Sequence, residues 1–484
     1  MDVFDLLEGL RYRWLTKKKP LDIEGLKTDV SQVNRGDCFL LLFGLHVQGV
    51  ERAEEAVQRG ATLLLIPELL WDETRKMKHF GQTSVIAVED LKANILQLIR
   101  RFYGRLSRRI VLIGITGTKG KTSVAMLLKE ALCKAGKKAG VIGTLGIEYE
   151  GFYEDIRIRN TTPDQITIYQ YLEGMVMAGC EYVIMEVSSQ ALKTKRVEGM
   201  WFDYAIFTNL SEDHISKHEH PDFQDYFESK KKLFTQCSMA LIHVSDAYGE
   251  EIAREAKCPC FTCSFCQQEA DFYGMIKEKE LLIEGKMDAK LRASDYGEFW
   301  NENLLISASM LHLLGLPQKS FIRVLEMTKV KGRMERIEKD GYDVIIDYAH
   351  NEQSMKEVLK SQRKKYPGRV IVVFGCGGNR DKNRRIGMGR AAAAWADVVI
   401  LTEDNSREES LKNILLDIKK GMGKRAEDAI VCLERKEAIW KAMDIAKSGD
   451  VVLLLGKGHE TYIEKEGKRI PFCEKEIVLS YEGH

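Results

Sequence analysis

Proline is scarce, with 8 in 484 residues, which excludes proline-rich linkers and leaves domain boundaries short and poorly marked. Net charge is nearly absent. Lys and Arg number 73 against 72 Asp and Glu, giving +1, so electrostatics gives no reason to expect nucleic acid or an anionic membrane as a partner. No apolar run approaches the roughly 20 residues that span a bilayer. The opening Met1-Asp2-Val3-Phe4-Asp5 lacks the basic and apolar regions of a signal peptide. There is no internal repeat and no low-complexity segment. Without export signals, the 11 cysteines are expected as reduced thiols in the cytoplasm.

What is present is the profile of a soluble globular protein: 44% hydrophobic and 30% charged residues over a length that suggests roughly three domains. Four cysteines, Cys258, Cys260, Cys263 and Cys266, fall close together. Structural zinc sites usually use two ligand pairs separated by a longer loop, whereas Cys258 and Cys260 would share one face of a strand. Buried or surface thiols are therefore favoured over a metal site, with Phe261 and Phe265 expected in the core.

Three segments differ in pattern. The first, residues 1–107, carries an apolar strand over Cys38–Phe43, a helical stretch from Gly49 and a second strand over Ala61–Ile66. From Arg109 the order becomes strand (Ile110–Ile115), glycine loop and helix (Ser123–Ala135), with further strands at Tyr182–Met185 and Tyr204–Phe207. Each of those strands ends at polar residues, and ligands gather at the carboxyl ends of open parallel sheets. From Gly332, strands at Asp343–Asp347, Val370–Phe374, Val398–Thr402 and Val451–Leu455 alternate with helical stretches, the pattern of a doubly wound sheet.

The loop between the second segment's first strand and helix reads Thr116-Gly117-Thr118-Lys119-Gly120-Lys121-Thr122. Gly117 and Gly120 allow a tight turn whose N–H groups point at phosphate oxygens, and the helix that follows directs its positive end at the same anion. Lys121 would reach the β- and γ-phosphates of ATP, and the Thr122 hydroxyl would help hold Mg²⁺. The strict phosphate-loop pattern fails at one position, where Ile115 replaces its first glycine.

The loop does not stand alone. Downstream come Asn160-Thr161-Thr162-Pro163, Glu186-Val187-Ser188-Ser189, Thr208-Asn209-Leu210-Ser211-Glu212-Asp213-His214, Gly332-Arg333-Met334-Glu335, Asp347-Tyr348-Ala349-His350, Gly375-Cys376-Gly377-Gly378-Asn379-Arg380-Asp381, Asp404-Asn405-Ser406-Arg407 and Gly456-Lys457-Gly458-His459-Glu460. In order and spacing this series resembles the Mur ligases, the ATP-dependent amide-bond-forming enzymes of peptidoglycan synthesis, and within them the UDP-N-acetylmuramoyl-tripeptide synthetase branch, over almost the whole chain.

The resemblance implies an α/β protein of three domains. These would be an N-terminal domain for the UDP end (1–107), a central P-loop ATPase domain (108–331) and a C-terminal Rossmann-like domain that binds the amino acid (332–484). It implies a cytoplasmic monomer that uses ATP and Mg²⁺ and takes only small molecules as partners, with no nucleic acid and no membrane insertion. ATP would phosphorylate the D-glutamate γ-carboxylate of UDP-MurNAc-L-Ala-D-Glu, and the amine of an amino acid would attack the acyl phosphate. Two anions meet in the first step, so positive charge must be concentrated there.

Residue by residue, Glu186 and His214 match the family's metal ligands, and Lys230 matches the lysine carried as a carbamate. By spacing alone, the run Lys230-Lys231-Lys232 reads as a solvated helix face. Asn303, Arg333 and Asp347 match positions that contact ATP, and His350 follows closely. Thr161, Thr162, Ser188 and Arg196 match residues that hold the muramoyl-peptide. Diaminopimelate-adding members carry Asp-Asn-Pro-Arg, whose arginine pairs with the distal carboxylate of the amino acid. Here Arg407 is kept and Ser406 replaces proline, so Arg407 is expected to be less well preorganised. Arg380, Asp404, Asn405, Gly456 and Glu460 match the rest of that pocket, with Glu460 an acceptor for the distal ammonium. The reading favours meso-diaminopimelate over lysine.

Departures concentrate at the UDP end. Asp29-Val30-Ser31 and Gln48-Gly49-Val50 stand where the family has Asp-Ser-Arg and Asp-Gly-His. Trp300 replaces an asparagine and Gln190 a histidine. Two accounts stay open, a tripeptide synthetase that holds uridine by other contacts, which is favoured, and a paralogue that joins an amino acid to a different carboxylate. A folylpolyglutamate synthetase is disfavoured by the Asp404–Arg407 and Gly456–Glu460 segments. A silent nucleotide-binding module is disfavoured by the intact Lys121, Thr122, Glu186, His214 and Lys230.

Overall fold

A computed structural model describes residues 1–42, 49–77, 79–104, 109–154, 160–211 and 219–482. The chain divides into two compact units: residues 1–114 with 137–205 and 229–238, and residues 115–136 with 206–228 and 239–484. Among the described residues no helix is long and apolar enough to cross a membrane.

In the first unit, a five-stranded sheet runs in the order Tyr12–Trp14, Ser84–Val88, Leu63–Pro67, Asp37–Leu40, Gly25–Lys27. Only the Tyr12–Trp14 strand is antiparallel. Leu63–Pro67 and Ser84–Val88 are buried throughout, as parallel strands covered on both faces must be. Ala53 and Ala56 of the helix Gly49–Gln58 share a core with Phe39, Leu64, Ile66 and Val85. The strand expected from Cys38 occupies Asp37–Leu40, and Phe43 lies outside the described residues. Later in this unit, Ala139–Gly143 pairs in parallel with Tyr182–Glu186, and Ile142 faces Met185. That register brings Gly143 and Thr144 to the carboxyl end of the strand that finishes at Glu186. The helix Gln165–Met177, capped by Asp164, meets the N-terminal residues through a Thr28 Oγ1 donation to Asp164 at 3.3 Å. Tyr103 also stacks on Tyr169, with ring centroids 6.0 Å apart.

The second unit opens with the glycine loop and the helix Lys121–Lys134. The helix starts two residues before the Ser123 expected, because Gly120 takes a left-handed backbone (φ 85°) that ends the turn there. Cys237–His243, Cys260–Ser264 and Phe272–Lys277 pair in parallel, and Glu280–Gly285 and Ala289–Arg292 extend them antiparallel. Of the clustered cysteines, Cys263 is buried and Cys266 exposed, while Cys260 Sγ donates to Cys258 O at 3.3 Å. Phe261 and Phe265 are half-buried, not core residues; on this strand the interior is filled by Cys263. Among the described residues no three His, Cys, Asp or Glu side chains gather to hold a metal ion.

The C-terminal sheet has the order Glu335–Glu338, Asp343–Asp347, Val451–Leu455, Val370–Phe374, Val398–Leu401, Ile430–Val431. Only Glu335–Glu338 is antiparallel. Alternate strand residues face opposite cores. Ile345, Val372 and Leu453 pack with Met355, Leu359, Met388 and Ile418 on one side. Val344, Val373 and Leu454 pack with Ile439, Ala442 and Met443 on the other, so the sheet is doubly wound. Its register aligns Asp347 with Leu455, Leu455 with Phe374, and Phe374 with Leu401. The segments beginning at Tyr348, Gly375, Thr402 and Gly456 therefore leave the sheet at one carboxyl edge.

Candidate active site

The glycine loop is built by close approach. Gly117 (φ 147°) and Gly120 (φ 85°) adopt backbones that favour glycine. A Cβ on either would collide, with Thr208 Oγ1 at Gly117 and with Asn303 Oδ1 at Gly120. Not every loop N–H faces a ligand: Thr118 N donates to Asn209 O (2.9 Å) and Lys119 N to Asn209 Oδ1 (2.9 Å). These bonds anchor the loop to the segment after Phe202–Phe207, because its backbone would otherwise carry unpaired buried donors. Lys121 Nζ folds over the loop and donates to Gly117 O (2.8 Å) and Thr118 O (3.0 Å). Thr122 is buried in the first helical turn.

Beside the loop lies a cavity of about 910 Å³ whose walls include Lys119, Gly120, Glu302, Asn303, Glu357 and Lys360. Lys119 Nζ pairs with Glu357 at 3.3 Å. Burial first, then the neighbouring Glu357 and Glu298, push the Glu302 carboxyl up to about 7. Sequence reasoning passed over Glu302 and Glu357, since neither carries a motif. Trp300 is a core residue with its ring edge-on to Tyr296 (5.4 Å).

In the first unit, Glu186 joins the residues expected to hold the muramoyl-peptide. Its carboxylate is buried and accepts from Thr144 N (2.8 Å) and Thr144 Oγ1 (3.0 Å). Thr144 Oγ1 also reaches Thr161 Oγ1 at 3.3 Å. Thr162 Oγ1 donates to Glu186 O (2.9 Å) and accepts from Ser188 N (2.9 Å), and Arg196 Nη1 donates to Thr162 O (3.0 Å). Ser188 caps the helix Ser189–Lys193. Burial draws the Arg196 guanidinium below its usual pKa range, against the pull of Asp164. Thr144 was not singled out in the sequence, and only the pairing of two distant strands reveals it. Gln190 Oε1 is buried with no hydrogen-bond partner among the described residues. In the lysine run Lys230 is 1% exposed, Lys231 half-buried and Lys232 exposed, so the solvated face its spacing suggested holds for Lys232 and not for Lys230. His214 lies outside the described residues.

At the edge of the C-terminal sheet, Asp347 accepts from Met334 N and Ala349 N, both at 2.8 Å. Burial pushes its carboxyl up, and the Arg333 charge works against that. Arg333 lies over the Tyr348 ring at 4.6 Å and reaches His459 Nδ1 at 3.3 Å. Burial, then Arg333, hold the His459 imidazole well below its usual pKa, so it is neutral near pH 7. His350 Nδ1 contacts Tyr348 O at 2.8 Å.

The two motifs expected to bind the amino acid meet through Lys457, which is 0% exposed. Its Nζ donates to Glu460 Oε2 (2.6 Å) and Asn405 Oδ1 (2.9 Å) and lies 3.5 Å from Asp404. Asn405 Nδ2 also donates to Glu460 Oε2 (2.8 Å). Burial pushes the Asp404 carboxyl up, but Lys457 and Arg435 outweigh it and hold the group below its ordinary range. Gly456 (φ 107°) passes close to Asp404. A side chain at Gly377 would meet both Arg407 Nη1 and Arg380 Cγ, so the two arginines flank one turn, with Arg380 also 3.5 Å from Glu219. Lys457 sits inside the quoted glycine motif, but nothing in the sequence marks it as the tie between motifs.

Comparison with known proteins gives this geometry its relatives. Residues 115–311 match the Mur ligase middle domain and residues 332–458 the Mur ligase, glutamate ligase domain. The UDP-N-acetylmuramoyl-L-alanyl-D-glutamate–2,6-diaminopimelate ligase of Clostridium botulinum is 34% identical over 483 residues, covering 98% of each chain. That of Caldanaerobacter subterraneus is 35% identical over 494 residues, covering 99% of this chain and 98% of its own. A solved structure of a ligase of the same description superposes with a TM-score of 0.65 at 26% identity, covering 99% of this chain and 98% of that one. Acinetobacter baumannii MurF, at 16% identity and a TM-score of 0.67, shares the three-domain fold. With about a third of its residues shared with such relatives over nearly its whole length, the chain belongs to the Mur ligase family.

Proposed function

We propose that this chain is an ATP-dependent, ADP-forming ligase that joins meso-diaminopimelate to the D-glutamate γ-carboxylate of UDP-MurNAc-L-Ala-D-Glu, acting as a cytoplasmic monomer in peptidoglycan synthesis. The observation that carries this reading is the Asp404–Asn405–Lys457–Glu460 network, with Arg407 beside it, at the carboxyl edge of the C-terminal sheet. An arginine for a carboxylate and a glutamate for an ammonium suit the two charges at the far end of diaminopimelate. The domains are assigned as 1–107 for the UDP end, 108–331 for ATP and 332–484 for the amino acid.

In the first step the γ-carboxylate oxygen attacks the γ-phosphorus of ATP, the bond to the β-phosphate oxygen breaks and ADP leaves. Lys121 releases its loop carbonyls to meet the phosphates, and Gly117, Thr118, Lys119, Gly120 and Thr122 shape the cradle. Asn303, Arg333, Asp347 and His350 face the nucleotide. In the second step the amine attacks the acyl carbon and loses a proton, and phosphate departs from the tetrahedral intermediate. Thr161, Thr162, Ser188 and Arg196 hold the muramoyl-peptide while Arg380, Asp404, Asn405, Arg407, Gly456 and Glu460 hold the amino acid.

Hard oxygen donors suit Mg²⁺, and the buried Glu186 carboxylate and Thr122 hydroxyl are of that kind. With His214 and Lys230 as its carbamate they would hold the ion, which when bound supplies positive charge between the reacting anions. Native mass spectrometry should find the chain heavier by one CO₂, and Lys230→Ala should remove the increment.

Phosphate release with ATP, Mg²⁺ and UDP-MurNAc-L-Ala-D-Glu should require meso-diaminopimelate and proceed poorly with lysine. Release with neither amino acid, while another carboxylate acceptor works, points to the paralogue reading. One observation favours that alternative: Ser31, in a motif altered at the UDP end, spends its hydroxyl on Asp29 (2.8 Å).

A further inference from the structure

Replacing proline by Ser406 was expected to loosen Arg407, yet the structure holds this residue firmly. Its backbone is left-handed (φ 53°), a conformation disfavoured for a non-glycine residue that persists only when neighbours enforce it. The enforcing element is the hairpin of Tyr462–Lys465 and Lys468–Pro471. Arg407 N donates to Glu464 O (2.9 Å), and Glu466 N donates to Arg407 O (2.7 Å). Glu464 N donates to Asn405 Oδ1 (2.9 Å), which ties the same strand to the preceding motif residue.

The side chain is held as well. Arg407 Nη1 donates to Gly378 O (2.6 Å) and Nε to Glu464 Oε2 (3.3 Å). Of the five N–H groups of a guanidinium, these two are bonded within the protein and hold the plane. One N–H on Nη1 and two on Nη2 remain, and none meets another acceptor among the described residues. That end can still form a two-pronged contact with a carboxylate.

We infer that Glu464 is a positioning residue for the amino-acid site: it replaces the restraint lost with proline by fixing Arg407 so that its outer edge meets the distal carboxylate. The inference rests on the diaminopimelate reading above. Glu464 is not asked to touch the substrate. Its effect is therefore on binding of the amino acid alone, through the orientation of Arg407.

The test compares wild type with Glu464→Ala, Glu464→Gln and Arg407→Ala in phosphate-release assays, varying meso-diaminopimelate and ATP separately. Glu464→Ala should raise KM for meso-diaminopimelate about tenfold, the scale of one hydrogen bond to a charged group, leaving KM for ATP as in wild type. Glu464→Gln, whose amide oxygen still accepts from Nε, should recover most of the loss. If Arg407→Ala raises that KM while Glu464→Ala leaves it unchanged or lowers it, Glu464 is no positioning residue. If Arg407→Ala itself has no effect, the diaminopimelate reading falls and takes this inference with it.

Discussion

Lys457 shows how much one buried side chain can decide. Its ammonium, inaccessible to solvent, is shared by Glu460, Asn405 and Asp404. Removing one partner from such a group leaves uncompensated buried charge, a cost of about 3–5 kcal/mol. Lys457→Met should therefore lower the unfolding free energy, read from denaturant titration, by an amount of that order and abolish use of the amino acid. A loss of only a few tenths of a kcal/mol would show that water reaches the network. Glu302 gives a pH signature at the same scale. Its folded carboxyl titrates near 7, above the roughly 4.3 of an unfolded glutamate. Between those values the folded state binds more protons than the unfolded state, so stability falls as pH rises through that window. Glu302→Gln should flatten this slope, and thermal melts at pH 5 and pH 8 should show the variant gaining on wild type at the higher pH.

At the scale of elements, the glycine loop is a strand-to-helix turn whose geometry admits no side chain at Gly120. Gly120→Ala combines a left-handed backbone with a Cβ pressed into Asn303. Nucleotide binding measured by titration calorimetry should be lost. The melting temperature should change far less, because the strain is local and lies outside the helix interior. The strands themselves were legible: Asp343–Asp347, Val370–Phe374 and Val451–Leu455 fall where continuous β-branched runs predict them. What periodicity missed were the ends, as at Lys121, where Gly120 starts the helix before the apolar pattern begins, and the hairpin after Glu460, whose first strand buries Ile463 alone and whose second is exposed throughout.

For the molecule as a whole, ligand binding links the site to stability. Mg²⁺ and ATP at about 100 times their Kd should add about 2.7 kcal/mol to unfolding, read as a rise in melting temperature. Lys121→Ala should forfeit most of that rise while melting like wild type without nucleotide. The sequence alone determined the α/β class, the phosphate loop, the strand ends that carry the motifs and, through their spacing, the resemblance to the Mur ligases. These are local in the chain, since glycine, β-branched runs and motif residues act through neighbours a few positions away. Only the tertiary structure decided that Thr144 holds Glu186, that Lys457 joins two motifs about fifty residues apart, and that Glu464 fixes Arg407. Such partners are chosen by sheet register and burial, which bring distant residues together without leaving a pattern in either stretch of sequence.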